Sequence, residues 1–369
     1  MKHTSQNRSS LCKTLLFFMA LMLMTNSVSA KKCRALTMSG AGALGAYQAA
    51  VFVGLVNNLP AEDIAYDVVT GVSAGSLNAL GLSGFDPMDV EAGSNFIYGL
   101  WSSIPMDKAF DTWPGGILAG FFHKGLFDLD PGRAWVTREY GSQTPQKKIT
   151  FSVMNANTGQ YINFDYDKTD VLPDDFIDSA FASSSIPGVF PHVTRGDDEL
   201  VDGGTVWNID IESPIRRCKE IVENESDIIL DIFLVSAAHI TEEPDFSSYS
   251  ALDHFFRGQD IFSFYNGMND YNSSLLNFPD VEIRHVIYPS QKLSSSPLDI
   301  ISFTQPVMDK CFEAGQRDAA ISAQLGSGGY GKILLEFTEK LKNGEKANLD
   351  DMLQARLKQK LEEDNKISG

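Results

Sequence analysis

The sequence predicts an α/β layered fold built around a largely parallel β-sheet. Three observations carry that expectation. Short apolar runs alternate with segments of helical periodicity, two of those runs pass directly into glycine turns that open helices, and no repeat or Pro/Ser-rich linker divides residues 34 to about 340. Alternating strand and helix patterns mark a sheet with helices packed on it, and in such sheets sites form where strand carboxyl ends turn into helices. At 369 residues, 43% apolar and 21% charged, the chain has enough apolar surface for a substantial core.

Residues 1–30 stand apart from that pattern. Lys2, Arg8 and Lys13 make a basic start, 15–24 is an unbroken apolar run of ten, and Val28-Ser29-Ala30 ends in small residues. This is the layout of a cleaved secretory signal, and the apolar run is well short of the roughly 20 residues a membrane span needs. Cleavage removes three positive charges and no negative ones, taking the net charge from -18 to -21. So acidic a surface repels phosphate polyanions and argues against nucleic-acid binding. A secreted or lumenal destination is expected. Cys33, Cys218 and Cys311 then remain, allowing at most one internal disulfide, with the pairing left open. None of them stands at metal-ligand spacing, and no metal or other cofactor is expected.

In chain order, strands are expected at 34–38, 66–70, 149–154, 228–235 and 281–287, and helices at 43–57, 74–82, 88–101, 174–182 and 305–322. Residues 31–340 form one domain. The charged segment 341–369 reads as a solvated or frayed helical tail with little apolar face.

The first strand enters Ser39-Gly40-Ala41-Gly42-Ala43-Leu44-Gly45 ahead of an apolar helix. Glycines there let the backbone turn tightly and aim N–H groups at an anion on the helix's positive end. The pattern matches a dinucleotide-binding fingerprint, but the acidic residue required at the end of the next strand is missing, because Glu62, Asp63 and Asp67 precede or open that strand. The second strand enters Gly71-Val72-Ser73-Ala74-Gly75 and then a helix, the setting of a nucleophile elbow, in which a sharp turn exposes the serine hydroxyl.

A serine nucleophile needs a base. His192, His239, His254 and His285 are available, as an α/β-hydrolase would require, but none stands in a distinctive loop. Asp202 is the better candidate, since a short apolar strand delivers it to the Gly203-Gly204 turn. An Asp-Gly turn in a surface hairpin has the same local pattern.

With these pieces assembled, the chain resembles the patatin-like phospholipases. The resemblance rests on the 40–45 glycine turn with Gly40, Gly42 and Gly45, the elbow from Gly71 to Gly75, the run Ala182-Ser183-Ser184-Ser185-Ile186-Pro187-Gly188-Val189-Phe190-Pro191, and Asp202-Gly203-Gly204. It covers residues 34 to about 215, with a looser likeness through 305–319. The resemblance implies a patatin-like three-layer α/β fold and a lipid acyl hydrolase of phospholipase A or lysophospholipase type. It further implies Ser73 as nucleophile, Asp202 as its only partner, and the N–H groups of Gly40, Ala41 and Gly42 as the oxyanion hole. A lipid or acyl ester is then the substrate, with transient contact to a membrane surface.

Two positions depart from the family pattern. Ala41 replaces a glycine, which is tolerable if its φ is negative. Leu44 stands where Arg or Lys is usual, which leads to the expectation that neutral or zwitterionic esters are cleaved at least as well as anionic lipids. Trp101, Trp113 and Trp135, with the apolar run 117–122, serve equally as a lipid-touching loop or as core. The altered glycine turn also motivates an alternative: a non-catalytic lipid-binding or storage protein of the same fold.

Overall fold

The computed structural model describes residues 31–104, 109–235, 240, 246–294 and 296–368. The expected signal at 1–30 and the candidate base His239 lie outside them. From Cys33 onward the chain runs β1 (Cys33–Met38), α1 (Gly45–Asn58), β2 (Val68–Val72), α2 (Ala74–Ser83), α3 (Val90–Ser103) and α4 (Asp130–Tyr140). It continues with β3 (Lys148–Asn155), β4 (Tyr161–Tyr166), α5 (Phe176–Ser183), β5 (Val193–Arg195), β6 (Asp198–Asp202) and α6 (Glu212–Cys218). The last elements are β7 (Ile228–Phe233), α7 (Ala251–Asn277), β8 (Glu282–Ile287), α8 (Gln305–Leu325), α9 (Gly329–Lys342) and α10 (Leu349–Ser368).

Among the described residues the main sheet has eight strands in the order β8-β7-β1-β2-β3-β6-β5, with β4 also paired to β3. The five strands from β8 to β3 are parallel, while β4, β5 and β6 pair antiparallel. Both β2 and β7 are buried along their whole length, as strands covered on two faces must be. Alternate residues of one strand serve different cores. Leu36, Met38, Val69 and Phe151 pack with α1, α2 and α8, whereas Ala35, Val68, Leu230 and Ile232 pack with α6, α7, α9 and α10. A sheet between two helical layers is the three-layer α/β fold that the strand and helix alternation predicts.

The structure corrects the reading of the C-terminal segment. The expected boundary at 340 falls inside α9, and α10 is docked on the domain through Leu349 and Leu353, both fully buried. Two leucines one helical turn apart suffice to bury one face, and an average over so charged a segment conceals them.

A disulfide joins Cys33, at the start of β1, to Cys218, at the end of α6, leaving Cys311 as a buried thiol that burial pushes up to about 12.

Candidate active site

The register of the sheet creates the site. Strand β2 runs parallel to β3 as far as Val72 opposite Ser152. Because β4 pairs with β3 from Ile149 to Met154, it occupies one edge of that strand, and β6 enters on the edge that β2 vacates, with Asp202 opposite Val153. Ser73, the residue after Val72, therefore meets Asp202 end to end across one residue of β3. The Ser73 hydroxyl faces the Asp202 carboxylate closely enough to favour its ionised form, and both side chains are buried, at 5% and 4% exposure. The surface-hairpin alternative for Asp202 is thereby excluded.

Ser73 has φ 54° and ψ -125° and is the only non-glycine residue with positive φ among the described residues. A side chain held there costs about 1–3 kcal/mol and persists only where its surroundings enforce it. Flanking glycines are part of that enforcement. A Cβ on Gly71 would lie 2.2 Å from the Gly75 carbonyl oxygen, and one on Gly75 would lie 2.3 Å from that of Met38. The serine run 183–185 supplies the rest. The Ser73 N–H donates to Ser183 Oγ at 3.0 Å, and the Ser183 hydroxyl donates to the Ser152 carbonyl at 2.6 Å. Ser184 Oγ lies 3.0 Å from the Ser73 carbonyl oxygen, while the Asp202 N–H donates to the Ser185 carbonyl at 2.9 Å. One short run thus braces both members of the pair, a role that its presence as a motif did not reveal.

Burial pushes the Asp202 carboxyl up to about 7, against the neighbouring Ser73 hydroxyl and a hydrogen bond from the Gly204 N–H, which favour the ionised form. The Gly204 bond is 2.7 Å long. A carboxyl tuned near neutrality is matched to taking and returning a proton at ordinary pH.

The glycine turn after β1 lies beside this pair, lining the same cleft of about 220 Å³. Ala41 has φ -152°, so its methyl group imposes no strain, and the positive φ of the turn falls on Gly42 at 54°. A Cβ on Gly42 would come within 2.1 Å of the Ile300 carbonyl oxygen. Of the expected trio of N–H groups, one is already engaged within the protein. Gly40 N–H already donates to the Asn208 carbonyl at 2.9 Å, which leaves Ala41 and Gly42 as the N–H groups without an acceptor among the described residues. Asn208 also donates its side-chain amide to the Gly40 carbonyl at 3.0 Å, so it holds Gly40 from two sides. Only the missing Cβ atoms of Gly40 and Gly204 admit its carboxamide oxygen. Sequence reasoning passed over Asn208; its signal was its place six residues after Asp202, on the turn that Gly203 and Gly204 open. Gly203 approaches the Ser152 carbonyl and Gly45 the Trp101 ring, both closely enough to exclude a side chain.

Leu44 is fully buried in the core and does not line the cleft. The head-group preference expected from its lack of charge therefore loses its structural basis. The histidines are occupied elsewhere. His192 Nε2 sits 2.6 Å from Glu199 Oε2, His254 stacks on Phe246, and His285 is buried with its Nδ1 3.0 Å from Ser322 Oγ. None of these three lines the cleft.

The aromatic segment divides. Trp101 and Trp135 are buried, and Trp113 stacks on His123 with its indole N–H donating to the Gly125 carbonyl. Leu118, Phe121 and Phe122, by contrast, are 72%, 72% and 91% exposed.

A comparison with curated proteins finds no match to the chain. Among solved structures the chain is similar to VipD from Legionella pneumophila, at 11% identity and TM-score 0.34, covering 88% of this chain and 79% of that one. It is similar to the ExoU-SpcU heterodimer of the Pseudomonas aeruginosa type III secretion system, at 14% identity and TM-score 0.29, covering 92% of this chain and 61% of that one. A crystal structure of the type III effector protein ExoU matches at 14% identity and TM-score 0.34, over 79% of this chain and 53% of that one. The chain thus spans less than two thirds of either ExoU structure. The sequence model of the patatin-like phospholipase family matches residues 36–215, a stretch that includes the glycine turn, the elbow, the serine run, Asp202 and Asn208. Through these residues the chain carries a patatin-like phospholipase domain over 36–215.

Proposed function

We propose that the protein is a serine acyl hydrolase that cleaves carboxylic esters of glycerolipids, of phospholipase A or lysophospholipase type, through an acyl-enzyme on Ser73. The observation that carries this reading is the juxtaposition, on one cleft, of the strained Ser73 and a buried Asp202 poised near neutrality. Asp202 takes the hydroxyl proton as Ser73 Oγ attacks the ester carbonyl. The oxyanion forms beside the N–H groups of Ala41 and Gly42, at the start of a helical turn, where preorganised donors are each worth a few kcal/mol. Collapse expels the alcohol, which receives the proton from Asp202. Water then gives a proton to Asp202 and attacks the acyl group, and the proton returns to Ser73 as the fatty acid leaves. Asn208 acts as a positioning residue by holding the donor turn.

The test is hydrolysis of a short-chain chromogenic ester by the chain from Lys31 onward. Ser73→Ala and Asp202→Asn are expected to lose at least about 10³-fold in kcat, while His192→Ala, His239→Ala, His254→Ala and His285→Ala each retain activity. A wild type inert toward esters and lipids of several classes sinks the catalytic reading in favour of the lipid-binding or storage alternative.

Exposed Leu118, Phe121 and Phe122 support transient contact with a lipid surface. Replacing Phe121 and Phe122 together by Ser is expected to lower hydrolysis of vesicle phospholipid severalfold and to leave a water-soluble ester unaffected. Equal loss on both substrates would refute surface contact. The Cys33–Cys218 disulfide supports export to an oxidising compartment. Amino-terminal sequencing of the secreted protein should then begin at Lys31, and retention in the reducing cytoplasm would contradict it.

A further inference from the structure

Two small cavities extend the site away from its open cleft. The first, about 50 Å³, touches Ser73 and Gly42, and the second, about 80 Å³, reaches Trp135 and Val136. They adjoin, because Leu77, Trp101, Phe181 and Phe303 line both. The Trp101 and Phe303 rings lie 2° from parallel with centroids 6.2 Å apart. Beyond its mouth at Ser73 and Gly42, the polar side chains along this passage are already engaged. Trp101 Nε1 donates to Asn78 Oδ1 at 2.7 Å, and the Asn78 amide donates to the Gly45 carbonyl and to Gln48 Oε1. Ser184 is held against the Ser73 and Ala180 carbonyls. The passage thus offers a ligand hydrocarbon and little else. The open cleft on the same serine presents Asn208, Thr205, Gln259 and Ser263 beside Phe255, Phe256 and Ile300, so polar groups for a ligand lie on this side alone.

We propose that this passage is an acyl channel that measures chain length, with Trp135 and Val136 as its end stop. The inference rests on the acyl-hydrolase reading and deepens it by naming the substrate class. An ester whose carbonyl sits at Ser73 is divided into a hydrocarbon arm in the passage and a polar arm in the cleft. The two cavities together approach the roughly 150 Å³ apolar cavity that takes up a benzene molecule, which corresponds to an acyl arm of about six carbons. Each methylene accommodated contributes up to about fourfold in kcat/KM, and the gain stops where the channel ends. Esters of medium-chain acids are therefore the preferred class.

The experiment is a chain-length series of para-nitrophenyl esters from acetate to palmitate, with each rate expressed relative to acetate. Wild type is expected to climb to hexanoate or octanoate and then level off or fall. Trp135→Ala, which opens the end stop, moves the break to longer chains, and Val136→Phe, which fills it, moves the break to shorter ones. Calorimetric binding of methyl octanoate to the Ser73→Ala protein, weakened at least about tenfold by Val136→Phe, reads the channel without catalysis. A series whose break does not move in either variant overturns the channel while the hydrolase reading stands. Binding that responds to Val136→Phe in a protein that cleaves no ester at any length keeps the channel and overturns the hydrolase reading. Binding indifferent to Val136→Phe in such a protein overturns both.

Discussion

The two glycine turns leave adjacent parallel strands on the same edge of the sheet, yet they distribute strain in opposite ways. The turn after β1 places its positive φ on Gly42, where no side chain opposes it, and Ala41 stays relaxed at φ -152°. The turn after β2 places its positive φ on Ser73. Backbone donors can be aimed by glycine, so the first turn has no reason to store strain. The nucleophile proposed at Ser73 must carry a side chain, so the second has to, and Ser183, Ser184 and the packed Gly71 and Gly75 hold it there. Among the described residues, a side chain at positive φ is confined to the one position where the proposed chemistry demands a Cβ.

The sharpest way to break this contrast is to add a methyl group to each residue of the first turn that lacks one, or to remove it. Gly42→Ala forces a side chain into positive φ against the Ile300 carbonyl, and it is expected to lower kcat by about 10²–10³-fold, the usual loss for an oxyanion donor. Ala41→Gly should stay within a few-fold of wild type. Similar losses from both variants would mean that the turn does not place its donors in the way described.

The next effect comes from Asp202. With its carboxyl pushed up to about 7 by burial, kcat/KM is expected to fall about tenfold per pH unit below that value. The stability consequence has a definite sign. The folded protein keeps this proton where the unfolded chain has already lost it. The contribution is therefore fully present below about 4, the ordinary aspartate value, and is lost as pH rises through about 7. Asp202→Asn should then melt at a higher temperature than wild type at pH 8 and show no such gain at pH 4. A gain of equal size at both pH values would show that the buried charge is not its source.

The smallest effect separates strain from chemistry. Ser73→Ala and Ser73→Gly both lack the hydroxyl, but only glycine relieves the backbone. Denaturant unfolding should find Ser73→Gly the more stable by about 1 kcal/mol or more. Equal stabilities would indicate that the elbow is relaxed.

Much of the site was legible in local sequence, because a turn's chemistry is written in the residues that make it. Gly71-Val72-Ser73-Ala74-Gly75 between strand and helix announced an elbow, and Asp202 before Gly203-Gly204 announced a carboxylate on a turn open to another backbone. The strand and helix alternation likewise announced the layered sheet. Other features had no local signature. Strand β4, half exposed at an edge, lacks the continuous apolar run of β2 and β7. The long helix α7 mixes polar and apolar residues around its circumference. Trp101, Trp135, Leu118 and Phe122 look alike as sequence and separate only when packing buries two of them and exposes the others.

The sequence alone was enough to single out Ser73 on its elbow and Asp202 on its turn, the glycines that free those turns, and the class of fold, since each follows from residue types within a few positions of one another. Tertiary structure decided which of three cysteines pair, that Leu44 faces the core, that the Asn208 carbonyl accepts the Gly40 N–H, and that Ser183 and Ser185 brace Ser73 and Asp202. Most of those facts join residues more than a hundred positions apart or depend on which face a side chain presents. Strand order and register set both, and apolar periodicity is the same for many orders and registers.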